Sequence, residues 1–129
     1  MKRSDALQPL SREHHTALTL AKACERAVQS DDADQVSAAC QRVIQAFARE
    51  LEPHFLVEEQ TLLPLLKDAE THHLVQHTLE DHRQLRALLD DLQQNDTAAL
   101  QDFGKCLSDH VRFEERELFP ALEKVMDHS

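Results

Sequence analysis

Apolar residues recur every three to four positions along most of the chain, the period of a helix with one buried face. The recurrence breaks at "SDDAD" (30–34), slips near residues 68–70, and breaks again at "QNDT" (94–97). The pattern predicts four helices, from about Pro9 to Gln29, Ala33 to Lys67, Glu70 to Gln94 and Ala98 to Met126. Pro9 suits a first helical turn, and Asp32 followed by Gln35 resembles a capping box. Connections this short make sequential helices antiparallel neighbours. The expectation is an all-α, up-down-up-down antiparallel four-helix bundle forming one domain over residues 1–129. An extended coiled-coil hairpin is the alternative. The apolar stripes are wider than a two-position seam, which favours the bundle.

Composition agrees. The 129 residues include one glycine and four prolines, too few turn formers for an all-β fold. A net charge of −10 argues against a nucleic-acid partner, since phosphate binding needs a basic face. No apolar run reaches the roughly 18 residues of a membrane span, and "MKRSDALQPL" lacks the apolar centre of a signal peptide. Three cysteines without metal or redox spacing read as reduced thiols, hence a cytoplasmic location. Histidine is the anomaly, with nine copies against no Trp or Tyr.

The histidines have an order. "HFLVEEQTLLPLL" (54–66) and "HVRFEERELFPAL" (110–122) both spell His-x-x-x-Glu-Glu-x-x-Leu-x-Pro-x-Leu. On a helical wheel, Val36, Cys40, Val43, Phe47 and Leu51 share a face that continues through His54 and Glu58 to Leu65. Phe103, Cys106, Leu107 and Ala121 flank His110 and Glu114 in the same way. Leu7, Leu10, Ala17, Leu18, Ala21 and Val28 surround His14. Val75, Leu79, Leu85 and Leu89 surround His82. "EHH" (13–15) and "DHR" (81–83) place His14 and His82 alike, so the chain reads as two copies of one helical hairpin. Residue counts from the intervening turns put His82 and His110 at one height and His14 and His54 in looser agreement, which would bring four histidines and two glutamates to one level of the core. His15, His72, His73 and His128 read as solvent-facing, with His77 at the margin. Glu59 and Glu115 fall off the core face, either outward or behind the ligands. Glu117 lies on the stripe and is expected to pair with an arginine or to support a ligand histidine.

Two buried carboxylates facing each other are costly. Two metal ions, bridged by Glu58 and Glu114 and each held by two imidazoles, would neutralise them. Mixed imidazole and carboxylate ligation suits iron, manganese or zinc, with positions left for a bridging oxygen and an exogenous ligand. The candidate ligands are His14, His54, Glu58, His82, His110 and Glu114, with His77 as a further contender.

The two repeats, together with His14 and His82, resemble the hemerythrin-like, or HHE cation-binding, family from about Leu10 to Leu122. The resemblance implies a four-helix bundle around two non-haem iron ions. His54 and His110 would be terminal ligands, and Glu58 and Glu114 the bridging carboxylates. The oxygen carriers of the family use five histidines, with His-x-x-x-His in the third helix and His-x-x-x-x-Asp in the fourth. This chain has His110-x-x-x-Glu114 in the fourth helix, while "HLVQH" (73–77) competes with His82 in the third. Ferritin-type sites need Glu-x-x-His on two helices, and only Glu70-x-x-His73 fits. The expected role is binding or sensing of dioxygen, peroxide or nitric oxide. Iron homeostasis or iron–sulfur repair, and a metal-free interaction module, are the alternatives. No substrate pocket or acid–base pair apart from the metal ligands suggests an enzyme.

Overall fold

Local signals start and stop the helices. A computed structural model describes residues 3–127 and, among them, shows four long helical rods and no strand. The first rod is α1 (Gln8–Gln29), with Pro9 in its opening turn. It ends where Asp31 takes a left-handed conformation (φ 53°). Asp32 then caps the second rod, its side chain accepting from the backbone N–H of Asp34 at 2.8 Å and of Gln35 at 3.3 Å. The second rod comprises α2 (Ala33–Ala46), a π-helical turn (Phe47–Leu51), α3 (Glu52–Val57), a second π turn (Glu58–Leu62) and a 3₁₀ turn (Leu63–Leu65). The third rod enters through a 3₁₀ turn (Ala69–Thr71) and continues as α4 (His72–Ala87) and α5 (Leu89–Gln93). Asn95 (φ 58°) turns the chain, and Asp96 caps the fourth rod through Ala99 N–H at 3.1 Å. That rod is α6 (Thr97–Phe113), a π turn (Glu114–Leu118) and α7 (Phe119–Asp127).

Each of the three π turns is followed by Leu-x-Pro spacing: Leu51 and Pro53, Leu62 and Pro64, Leu118 and Pro120. In an α-helix a proline ring clashes with the carbonyl four residues back and cannot donate to it. Widening to the i→i+5 pattern relieves that clash, so the helices pass through Pro53 and Pro120. At Pro64 the tighter 3₁₀ turn ends the rod instead.

The π turns shift the helical phase, and the wheel misplaces residues beyond them. Leu62, Leu63 and Leu66 are buried, while Leu65 is exposed. In the fourth rod Leu118, Phe119 and Leu122 are buried. Glu117 is exposed, with no ion pair among the described residues. Two further placements differ. Leu18 is exposed on α1. In α4 the inward stripe is Leu74, Thr78, His82 and Leu85, with Leu79 outward. Thr78 tolerates burial because its hydroxyl donates to Leu74 O at 2.8 Å. Val28, Val75, Leu89, Cys106 and Ala121 are half-buried.

The core has two apolar parts. One, around Cys24, Val43, Phe47, Phe103 and Leu107, fills the end near the Asp31 and Asn95 turns. The other, around Leu7, Leu62, Leu74, Phe119 and Leu122, fills the opposite end. The buried polar side chains His14, His54, Glu58, Thr78, His82, His110 and Glu114 form a further group. The first and fourth rods are in close contact at Gly104, where a Cβ would sit 2.9 Å from Cys24 Cβ.

Candidate metal centre

All four rods contribute to the polar group. α1 supplies His14 and the second rod His54 and Glu58. α4 supplies His82 and the fourth rod His110 and Glu114. The two glutamates are fully buried and none of the four histidines is more than 5% exposed.

Each imidazole turns its Nε2 inward, to a carboxylate. His14 Nε2 is 2.7 Å from Glu114 Oε1, and His54 Nε2 is 2.9 Å from Glu58 Oε2. His82 Nε2 is 3.0 Å from Glu58 Oε1, and His110 Nε2 is 3.2 Å from Glu114 Oε2. The donors fall into two groups, His14, His54, Glu58 and Glu114, and His82, His110, Glu58 and Glu114. Within each group, one ligand atom per residue lies within 4.8 Å of every other. Both glutamates belong to both groups, as bridging carboxylates must.

Each imidazole also turns its Nδ1 outward, to a different carboxylate. His14 meets Glu115 at 2.6 Å, His54 meets Glu13 at 3.3 Å, His82 meets Glu59 at 2.6 Å and His110 meets Asp81 at 2.8 Å. An ionised carboxylate only accepts, so Nδ1 carries the proton and donates it. When the imidazole is neutral, Nε2 is then a lone pair aimed into the cluster, the form that binds a metal.

The second glutamate of each repeat therefore lies behind a ligand rather than in solvent. Glu58 and Glu59 grip opposite nitrogens of His82, while Glu114 and Glu115 do the same to His14. Burial alone would raise Glu59, but hydrogen bonds from Arg86 (2.8 Å) and His82 hold it below the usual carboxylate range. Burial also opposes charge on Glu115. Ser11 (2.8 Å), His14 and Arg3 (3.2 Å) hold it low.

The inner atoms are less well served. Both oxygens of Glu58, one of Glu114, and Nε2 of His82 and His110 are buried without a hydrogen-bond partner. Native interiors leave few such atoms, and here all but Ser4 Oγ belong to the expected ligands. Protonation states respond accordingly. Burial opposes charge on His54, yet Glu114 and Glu58 push it up to about 11. Burial likewise opposes charge on His110, but Glu114 and Asp81 push it up to about 10. Burial and the charge of Glu114 raise Glu58, whereas Glu114, despite burial, is held low by His110, Glu58 and His14. A cation between these groups removes the need for such shifts, so the donor set fits a metal.

A model of the hemerythrin HHE cation-binding domain matches residues 5–122. The chain belongs to that family. No curated protein and no solved structure matches it significantly. Hemerythrin-family membership implies cation binding, and the two His/Glu clusters are the groups of metal-binding donors among the described residues.

The remaining histidines stand apart from the clusters. His77, the further contender, lies on the surface with its side chain 50% exposed. Its Nε2 is 3.2 Å from Asp81 Oδ2 and its ring is stacked on Phe113 at 3.7 Å. It precedes Thr78 of the inward stripe by one residue, about 100° around α4, and His82 occupies that stripe. His15, His72 and His73 are exposed, and His128 lies outside the described residues. Sequence reasoning missed Glu13 and Asp81, the acids that immediately precede His14 and His82. The shared Glu/Asp-His step in "EHH" and "DHR" was the signal for them.

A cavity of about 140 Å³ opens beside the centre, between the first and second rods. Its walls are largely apolar, with Ala17, Leu20, Phe55 and Leu107 among them, and it reaches His14, His54, His110 and Glu114. No helix is long and apolar enough to cross a membrane among the described residues.

Proposed function

We propose that the protein holds two iron ions, one at each cluster, and binds or senses dioxygen, peroxide or nitric oxide there. The observation that carries this is the convergence of four Nε2 atoms on two shared, fully buried carboxylates with orphaned oxygens. His14 and His54 would hold one ion, His82 and His110 the other, and Glu58 and Glu114 would bridge them. Manganese or zinc could substitute, and a bridging oxygen species would complete the coordination. When bound, the iron pair supplies electrons and an open coordination position to a small oxidant. The chain's own residues fix the imidazole tautomers, bury the charges and exclude bulk water. The cavity suits this reading, being well below the ~300 Å³ of a pocket for an organic substrate.

Contacts between the rods support the up-down-up-down order. Along the first and fourth rods they run Arg3 to Glu123, Ser11 to Glu115 and Cys24 to Gly104, rising in one and falling in the other. Glu59 to His82 and Glu52 to Arg86 run oppositely in the second and third rods.

Aerobic iron reconstitution followed by metal analysis and absorption spectroscopy tests the proposal. About two irons per chain, with bands that respond to dioxygen or nitric oxide, are expected. Fewer than about half a metal per chain overturns it.

A further inference from the structure

Four carboxylates support the outer nitrogens of the four histidines, and one differs from the rest. Glu59, Asp81 and Glu115 sit 2.6, 2.8 and 2.6 Å from their imidazoles, with side chains 20%, 22% and 30% exposed. Glu13 sits 3.3 Å from His54 and is 50% exposed. Glu13 is also the only one of the four that lines the cavity. The cavity reaches both histidines of one cluster, His14 and His54, but only His110 of the other; Glu114 lines it, and His82 and Glu58 do not. His82 is fully buried, with Phe55 stacked on it at 3.9 Å.

The geometry points to Glu13 as the door of the centre. It is a positioning residue that acts through His54. When its side chain swings into solvent, the cavity mouth widens and the Nδ1 of His54 loses its acceptor in the same movement. An imidazole without its outer partner is a weaker and less fixed ligand. The position held by His14 and His54 therefore exchanges its metal through the cavity, ahead of the position held by His82 and His110. Glu13 sets the rate of that first exchange. The inference rests on the two clusters being metal sites.

Zinc, which has no redox chemistry, is a suitable probe. The chain is loaded with zinc, mixed with excess chelator, and release is followed in time. Two phases of equal amplitude are expected. Glu13→Ala speeds the fast phase about tenfold, the lower end of the effect of removing such a partner, and leaves the slow phase unchanged. Glu13→Gln, which keeps the volume and an accepting oxygen, restores the fast phase to near the wild-type rate. Asp81→Ala speeds the slow phase instead. Single-phase release from the wild type, or a Glu13→Ala variant that speeds both phases equally or neither, overturns the door. A wild-type chain that takes up no zinc and no iron overturns the metal centre itself, which the loading step reads separately from the rates. A thermal melt of the metal-free Glu13→Ala chain, expected to match the wild type, checks that the variant folds.

Discussion

Replacing Glu58 with glutamine should move the metal-free and metal-loaded proteins in opposite directions. The Glu58 side chain is fully buried, and both its oxygens lack hydrogen-bond partners. Burial and the charge of Glu114 already favour its neutral form. A neutral amide of the same shape keeps an oxygen for one of the two facing imidazoles and ends the repulsion from Glu114. The relieved repulsion from Glu114, less the weakened attraction to His54 at 2.9 Å, favours the metal-free variant by about 1 kcal/mol, the size of one net polar interaction. About 1 kcal/mol corresponds to a rise in Tm of roughly 4 °C for a domain this size. With metal the sign reverses, because Glu58 belongs to both clusters. A ligand at 100 times its Kd stabilises by about 2.7 kcal/mol per site, so two sites lift the wild type by roughly 20 °C. In Glu58→Gln that gap should shrink to a few degrees. Melts followed by circular dichroism, with and without metal, measure both effects. A variant that keeps the wild-type gap refutes the bridging role. A metal-free variant that loses the ~2–5 kcal/mol typical of a core cavity refutes the account of an unsatisfied buried carboxylate.

Three further outcomes follow from the same structure. His54 and His110 have folded-state values of about 11 and about 10 against an ordinary 6.5, so the folded metal-free chain holds their protons more tightly than the unfolded chain does. That contribution is fully present below about pH 6.5 and is lost as pH rises through about 10 to 11. Melting temperature of the metal-free chain should therefore fall across that window, while the metal-loaded chain, whose ligand imidazoles are already neutral at Nε2, should not follow it. A flat metal-free profile would count against protonated cluster histidines. His77→Ala should keep its metal content, and His82→Ala should lose most of it, by elemental analysis; equal loss would return His77 to the ligand set. Gly104→Ala should lower Tm, because a Cβ 2.9 Å from Cys24 Cβ and 3.2 Å from Ala21 O forces the first and fourth rods apart. Overpacking costs about 1–3 kcal/mol, against a helix-propensity gain of at most about 1 kcal/mol.

The helices and the six central residues were legible because both rest on local periodicity. A straight α-helix places His54 and Glu58, or His110 and Glu114, on one face whatever follows them. Beyond those residues periodicity fails, since the π turns at Glu58–Leu62 and Glu114–Leu118 change the number of residues per turn. That is why Leu65 and Glu117 were expected inside and stand outside. The trailing Leu-x-Pro marks where the helix widens. In α4 the error has another source. Thr78 reads as polar on a wheel, and its hydroxyl bond to Leu74 O, which makes burial tolerable, is invisible there.

The duplicated sentence carries a rule that a single copy would hide. Within each repeat, consecutive glutamates divide their work between the two nitrogens of one histidine on another rod. Within each "EHH" or "DHR" step, the histidine turns inward and the acid before it reaches a histidine on a neighbouring rod, Glu13 to His54 and Asp81 to His110. Every histidine thus has at least one carboxylate partner on another rod, and no rod completes its own support. Such interlocking ties the assembly of the centre to the packing of the whole bundle, so metal binding and folding must be coupled. It also shows where the two halves differ. The glutamates of the repeats are identical, whereas the supporting acid is Glu13 in one half and Asp81 in the other. Aspartate, one methylene shorter, sits closer to its imidazole and deeper in the fold. Glutamate reaches farther, holds less closely, and opens onto the cavity. The near-symmetric centre is therefore more open at His14 and His54 than at His82, and the difference rests on Glu13, a side chain outside the proposed ligand set.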